Sequence, residues 1–132
     1  MDAHLSKPHV LIDLYGCSAA RLNDLDGLRA ALYASARALG CTTIGDIFHQ
    51  FSPWGVTGVL AIAESHISVH TWVEDGYAAI DLFLCNAKLR KQDLDAAVDS
   101  FAAFLQAERC ESRIVPRGAA PAGCLRSVAT PG

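Results

Sequence analysis

The segment from Tyr77 to Cys85 constrains the fold more than any other. Ala78, Ile80, Leu82 and Leu84 fall on one side of an extended chain, and Tyr77, Ala79, Asp81, Phe83 and Cys85 fall on the other. Such a strand has one wholly apolar face to cover and one mixed face, as in an antiparallel sheet with its layer of helices on one side. The preceding segment, Ser65–Val73, repeats the pattern. Ile67, Val69 and Val73 share one face, and His66, Ser68, His70 and Trp72 share the other. Before it, Val59-Leu60-Ala61-Ile62-Ala63 is a continuous apolar run, which predicts a buried strand over Val56–Ala63. Glu74-Asp75-Gly76 supplies a tight turn between the last two strands.

The flanking elements follow from the same periodicities. Val10–Tyr15 reads as a strand ended by Gly16. Asn23 or Asp24 caps a helix with the stripe Leu25, Leu28, Leu32, Ser35/Ala36 and Leu39, and Gly40 stops it. A strand over about Thr42–Phe51 is broken by Ser52-Pro53-Trp54-Gly55. A second helix spans about Gln92–Glu108, with Leu94, Val98, Phe101 and Leu105 on one face. Ser112–Val115 is a short closing strand, and residues 117–132, rich in Ala, Pro and Gly, read as a flexible tail. The order β-α-β-β-β-β-α-β predicts one domain of 132 residues. Its class is α+β, a two-layer sandwich with a mostly antiparallel sheet and two helices on one face.

Composition narrows the function. Formal charge is −3 and no basic cluster occurs, which argues against nucleic acid as a partner. No apolar run is long enough to span a bilayer, and Met1–Lys7 lacks a secretory core, so the expectation is a cytoplasmic protein with no membrane partner. The five cysteines, Cys17, Cys41, Cys85, Cys110 and Cys124, form no C-x-x-C pair. They read as free thiols rather than a disulfide framework or zinc site.

Polar residues massed after a buried strand make Glu64–Trp72 the candidate site. Ser65 as a hydrolase nucleophile lacks the G-x-S-x-G elbow. His66 and His70 as metal ligands would lie roughly 13 Å apart on a strand, at about 3.3 Å per residue, too far for one ion. A serine attacking its own backbone is the third reading. Strand parity places Ser65 opposite His70, so cooperation between them would need a bend near Glu64-Ser65, and a bend there would strain the intervening peptide. The mixed face carrying His70, Trp72, Phe83 and Cys85 also needs cover, which predicts a homodimer.

This segment resembles the prokaryotic-type S-adenosylmethionine decarboxylases. The resemblance runs over about residues 8–116. It rests on Gly55-Val56-Thr57-Gly58, on Ala63-Glu64-Ser65-His66-Ile67-Ser68-Val69-His70-Thr71-Trp72 with Glu74, and on Gly76–Phe83 with Cys85. Asp13, Tyr15-Gly16-Cys17, His49 and Phe51-Ser52-Pro53 fit as well. It implies a self-processing enzyme cut between Glu64 and Ser65 into fragments 1–64 and 65–132. Ser65 Oγ would attack the Glu64 carbonyl, and loss of the Ser65 α-proton would break the resulting ester. Residue 65 would become a pyruvoyl group that replaces pyridoxal phosphate, with no metal. The resemblance assigns the base of processing to His70, supporting hydroxyls to Thr57 and Ser68, and the proton donor of catalysis to Cys85. It makes Phe51 and Trp72 aromatic contacts for the substrate and Glu74 an acceptor for its ribose.

Trp54, Val73, Leu84 and Asn86 depart from that pattern around the expected pocket. The implied activity is decarboxylation of S-adenosylmethionine for polyamine synthesis. The alternatives are a pyruvoyl decarboxylase of ornithine or arginine, and an unprocessed regulatory homologue. His66 stays open between a structural hydrogen-bonder and a site residue. Ser68 stays open between support for His70 and a plain strand polar. Asp81 reads as orienting a neighbour. Outside the site, Cys17, Cys41, Cys110 and Cys124 read as buried thiols.

Overall fold

The computed structural model describes residues 7–85 and 88–118, so Asn86, Cys124 and most of the expected tail lie outside the described residues. Strands β1 (Lys7–Tyr15), β2 (Thr43–Gln50), β3 (Val56–Ile62), β4 (Ser65–Trp72), β5 (Tyr77–Phe83) and β6 (Arg109–Arg117) form one sheet in the order β2-β3-β4-β5-β1-β6. All five pairings are antiparallel. Burial alternates residue by residue along β1, β3 and β5, as the period-two pattern requires.

The helices are α1 (Ala19–Leu22), α2 (Leu25–Ala38) and α3 (Lys91–Leu105), where the sequence predicts two. The extra one is a single turn, too short to show periodicity. Ser18 caps it by accepting from the Arg21 N–H at 3.3 Å. Asp24 caps α2 by accepting from the Gly27 N–H at 2.9 Å. Leu28 and Leu32 of α2, with Leu94 and Phe101 of α3, join Val10, Ile12, Leu60, Ile67 and Leu82 of the sheet in one buried cluster. That cluster occupies the single layer between helices and sheet, and it holds most of the apolar area that drives folding.

Two local features tighten this layer around the site. Gly58 of β3 lies against the Phe48 ring, and a Cβ there would meet ring carbon at 2.0 Å, so only glycine permits the contact. Thr71 is buried where parity puts a β4 residue on the helix side. Its hydroxyl donates to the Leu22 carbonyl at 2.8 Å and accepts from the Val56 N–H at 2.9 Å. One side chain thereby ties β4 to β3 and α1. The turn after β4 is a single 3₁₀ turn, Val73–Asp75, closed by Gly76 at φ 61°.

Candidate active site on the open sheet face

Glu64 and Ser65 sit at the tip of the β3–β4 hairpin. Ile62 pairs with Ser65, so Ala63 and Glu64 alone make the turn. Glu64 takes φ 68°, a left-handed conformation that a type II turn reserves for glycine at its second position. A glutamate there costs about 1–2 kcal/mol. The strain thus lies on Glu64 in the hairpin turn, and not in a bend that would bring Ser65 to His70. The Ala63 N–H donates to the Thr42 carbonyl at 2.8 Å and holds the turn against the end of β2.

Ser65 Oγ donates to the backbone carbonyl of Phe83. Cys85 Sγ donates to Glu64 Oε2 at 3.0 Å. The carboxylate partner raises the Cys85 pKa, followed by desolvation, and Lys7 opposes them. Glu64, Ser65, Phe83 and Cys85 thus form one cluster at the start of β4 and the end of β5.

A second cluster occupies the other end of β4. Thr57 of β3 pairs with His70 of β4, and Thr57 Oγ1 lies 3.1 Å from His70 Nδ1. A concavity of about 240 Å³ is lined by Phe51, Trp54, Thr57, His70, Thr71 and Trp72 with Gly55. Trp72 stacks on Tyr77 at 5.3 Å, and Tyr77 stacks on Tyr15 at 5.4 Å. Arg109 covers the far side of Tyr15 at 4.2 Å. The Tyr77 hydroxyl donates to Asp13; that bond, followed by burial, pushes its pKa up to about 12. Glu74 lies at the rim and accepts from the Trp54 indole N–H at 2.7 Å. Trp54, one of the departures from the expected pattern, is therefore what orients Glu74.

β4 is regular from Ser65 to Trp72, so no bend shortens the path from Ser65 to His70. Five residues at about 3.3 Å each separate them by roughly 16 Å. The fold gathers Ser65 with Cys85, and His70 with Thr57, Phe51 and Trp72. It does not bring the first group to the second within one chain.

Between the clusters lies a network that sequence reasoning only half anticipated. Asp81 Oδ2 accepts from His9 Nε2 at 2.7 Å and from His66 Nε2 at 2.8 Å, and Oδ1 accepts from Ser68. Burial works to raise the Asp81 pKa, but the bonds from Ser68, His9 and His66 outweigh it and hold the carboxyl below its ordinary range. His66 thus has a partner, and Ser68 bonds to Asp81. His9 was missed because the neighbourhood of β1 and β5 is a fact of topology; its register opposite Phe83 places it here. His9, His66 and Asp81 are also the three donors among the described residues that lie close enough together for one metal ion. An ion would have to replace both imidazole–carboxylate hydrogen bonds.

The architecture is a two-layer α+β sandwich whose sheet carries a strained turn at one end of β4 and an aromatic recess at the other. Residues 8–118 match the family model for S-adenosylmethionine decarboxylase, and the chain belongs to that family. It is 40% identical over 110 residues to the S-adenosylmethionine decarboxylase proenzyme of Methanococcus maripaludis, covering 83% of this chain and 88% of that protein. Identity to the proenzyme of the same name from Acidithiobacillus ferrooxidans is 42% over 84 residues, 64% of this chain and 63% of that protein. The crystal structure of the adenosylmethionine decarboxylase from Aquifex aeolicus is similar with TM-score 0.77 at 30% identity, covering 94% of this chain and 100% of that one.

Proposed function

We propose that this chain is made as a proenzyme, cuts itself between Glu64 and Ser65, and decarboxylates S-adenosylmethionine for polyamine synthesis in the cytoplasm. The observation that carries this reading is the turn itself. A serine follows a glutamate held at φ 68°, in a family whose members are named as proenzymes. Strain at Glu64 raises the energy of the peptide to be broken, and part of it is released when that peptide opens.

The residues divide the work. Ser65 Oγ points at the Phe83 carbonyl, so it must rotate about χ1 to reach the Glu64 carbonyl carbon. The serine C–O bond forms as the Glu64–Ser65 C–N bond breaks, which leaves an ester between the two residues. Removal of the Ser65 α-proton by an imidazole then expels the Glu64 carboxylate and leaves a dehydroalanine at residue 65. Water adds to its imine tautomer and the former Ser65 nitrogen departs as ammonia; the resulting ketone would supply the electron sink that decarboxylation of an amino acid needs. Cys85, near that end of β4, is the acid that returns a proton to the substrate carbon. Phe51 and Trp72 offer aromatic faces to a cationic sulfonium, and Glu74 offers a carboxylate oxygen to ribose hydroxyls.

His70 cannot serve its own Ser65 across roughly 16 Å of regular strand. The reading therefore includes a homodimer, with the open faces packed together and each His70 acting on the partner's Ser65. Exposed apolar side chains support it: Ile47 is 72% exposed, Phe51 48%, Trp54 47% and Trp72 40%. No described helix is long and apolar enough to cross a membrane.

The test is to supply the purified protein with S-adenosylmethionine, ornithine and arginine in parallel and weigh the chain. Carbon dioxide release from S-adenosylmethionine, with fragments breaking at 64/65, is expected. An intact 132-residue chain, or release from ornithine or arginine instead, overturns the reading. Co-expression of Ser65→Ala with His70→Ala tests the dimer. Acting across the interface, the pair regains one competent site; acting within a chain, it regains none.

A further inference from the structure

Cleavage at 64/65 would free Ser65 from Glu64, but it would not free Glu64 from the sheet. Glu64 stays joined to Ala63, whose N–H is bonded to the Thr42 carbonyl, and to Ile62, which pairs with Thr43. All of these belong to the first fragment. The Glu64 side chain reaches across the turn to Cys85, its Oε2 accepting from Sγ at 3.0 Å. The new chain end adds the α-carboxylate of Glu64 to the same turn, so a second negative charge appears close to the thiol.

We infer that Glu64, besides providing the bond that is broken, remains afterwards as a positioning residue that keeps Cys85 in its thiol form. This rests on the reading of Cys85 as the proton donor of decarboxylation. A donor must hold its proton until the substrate has lost carbon dioxide, and a thiolate could not donate. A carboxylate at hydrogen-bond distance disfavours the thiolate by like-charge repulsion and stabilises the S–H by accepting from it. The titratable groups facing Cys85 are Glu64 from the hairpin turn, Lys7 from β1 and Cys41 from the loop after α2. Lys7 pulls toward the thiolate, so Glu64 decides the balance. Glutamine at 64 keeps the shape and an acceptor oxygen but loses the charge.

The decisive experiment needs no activity. In the Ser65→Ala chain, which cannot process, alkylation of Cys85 by iodoacetamide is followed against pH, with Cys85 identified by peptide mass among the other cysteines. Adding Glu64→Gln should lower the midpoint by about one pH unit, a roughly tenfold faster alkylation below both midpoints. Glu64→Asp, which keeps the charge, should restore part of the parent behaviour. An unchanged or raised midpoint in Glu64→Gln overturns the inference. In the processed enzyme, Glu64→Gln should move the alkaline limb of kcat to lower pH by the same interval; a limb that stays in place also overturns it. If the midpoint moves but the parent does not decarboxylate S-adenosylmethionine, the coupling stands and the proposed function falls. If the parent decarboxylates and the midpoint does not move, the proposed function stands and Glu64 is only the cleavage residue.

Discussion

The two ends of β4 are built on opposite plans. At the Ser65 end, reactive groups bond to backbone or to each other at a strained turn: Ser65 to the Phe83 carbonyl, Cys85 to Glu64. At the Trp72 end, groups are immobilised by stacking and by one fixed hydroxyl: Trp72 on Tyr77 on Tyr15, and His70 on Thr57. On the proposed function, the first end would hold what must change covalently, and the second what must recognise. A regular strand keeps Ser65 and His70, the proposed nucleophile and base, on one element while preventing them from meeting. On the proposed function, premature processing of a lone chain would thereby be discouraged, and a second copy would become part of the chemistry.

The sharpest way to break the comparison is at Ser65. Ser65→Ala should abolish both cleavage and decarboxylation, read as an intact mass and zero turnover, because no ester can form. Next is His70→Ala, expected to slow cleavage by about 10²–10⁴-fold, the usual contribution of a general base. Accumulated ester should then yield to hydroxylamine; normal ketone formation would remove His70 from processing. Trp72→Ala should leave cleavage intact and raise KM roughly fivefold, in line with a loss of about 1 kcal/mol of cation–π contact. Impaired cleavage in that variant would merge the two ends into one function.

Smaller effects lie between the ends. Asp81→Asn should lower stability by about 2 kcal/mol at neutral pH, from weakened charge-assisted bonds to His9, His66 and Ser68. The sign of its pH dependence follows from the lowered Asp81 pKa. The contribution is fully present above the ordinary carboxylate value near 3.9 and is lost as pH falls through the lower folded value. Wild type and Asp81→Asn should therefore converge in denaturant midpoint on acidification. A gap that persists at pH 2 would mean that the carboxylate charge is not what Asp81 contributes.

Much of this was legible because period-two alternation is a strong signal. β4 and β5 came out with the expected faces, so His70 was correctly put on the open side, while β5 ends at Phe83 and Cys85 lies just beyond it. β6 runs over Arg109–Arg117, longer than expected. It is an edge strand with eight of its nine residues exposed, and its burial shows no alternation to read. β1 begins three residues earlier than expected, at Lys7, for the related reason that its first residues pair with β6. The His9 arm of the Asp81 network was illegible because β1 lies far in sequence from β4 and β5. Trp54 looked like a departure and proved to be the partner of Glu74.

The strand order has a consequence for the life of the molecule after the cut. Residues before the 64/65 bond supply β1, β2 and β3, and residues after it supply β4, β5 and β6. In the sheet, β1 is flanked by β5 and β6, and β4 pairs with β3. The halves are therefore interleaved like the fingers of two hands, with three seams between them. Neither half carries a complete sheet to fold around. Once severed, the protein could be unfolded but not simply unzipped, and its reassembly would become a second-order encounter between two incomplete chains. An active molecule lost to heat would be harder to recover than the precursor from which it came.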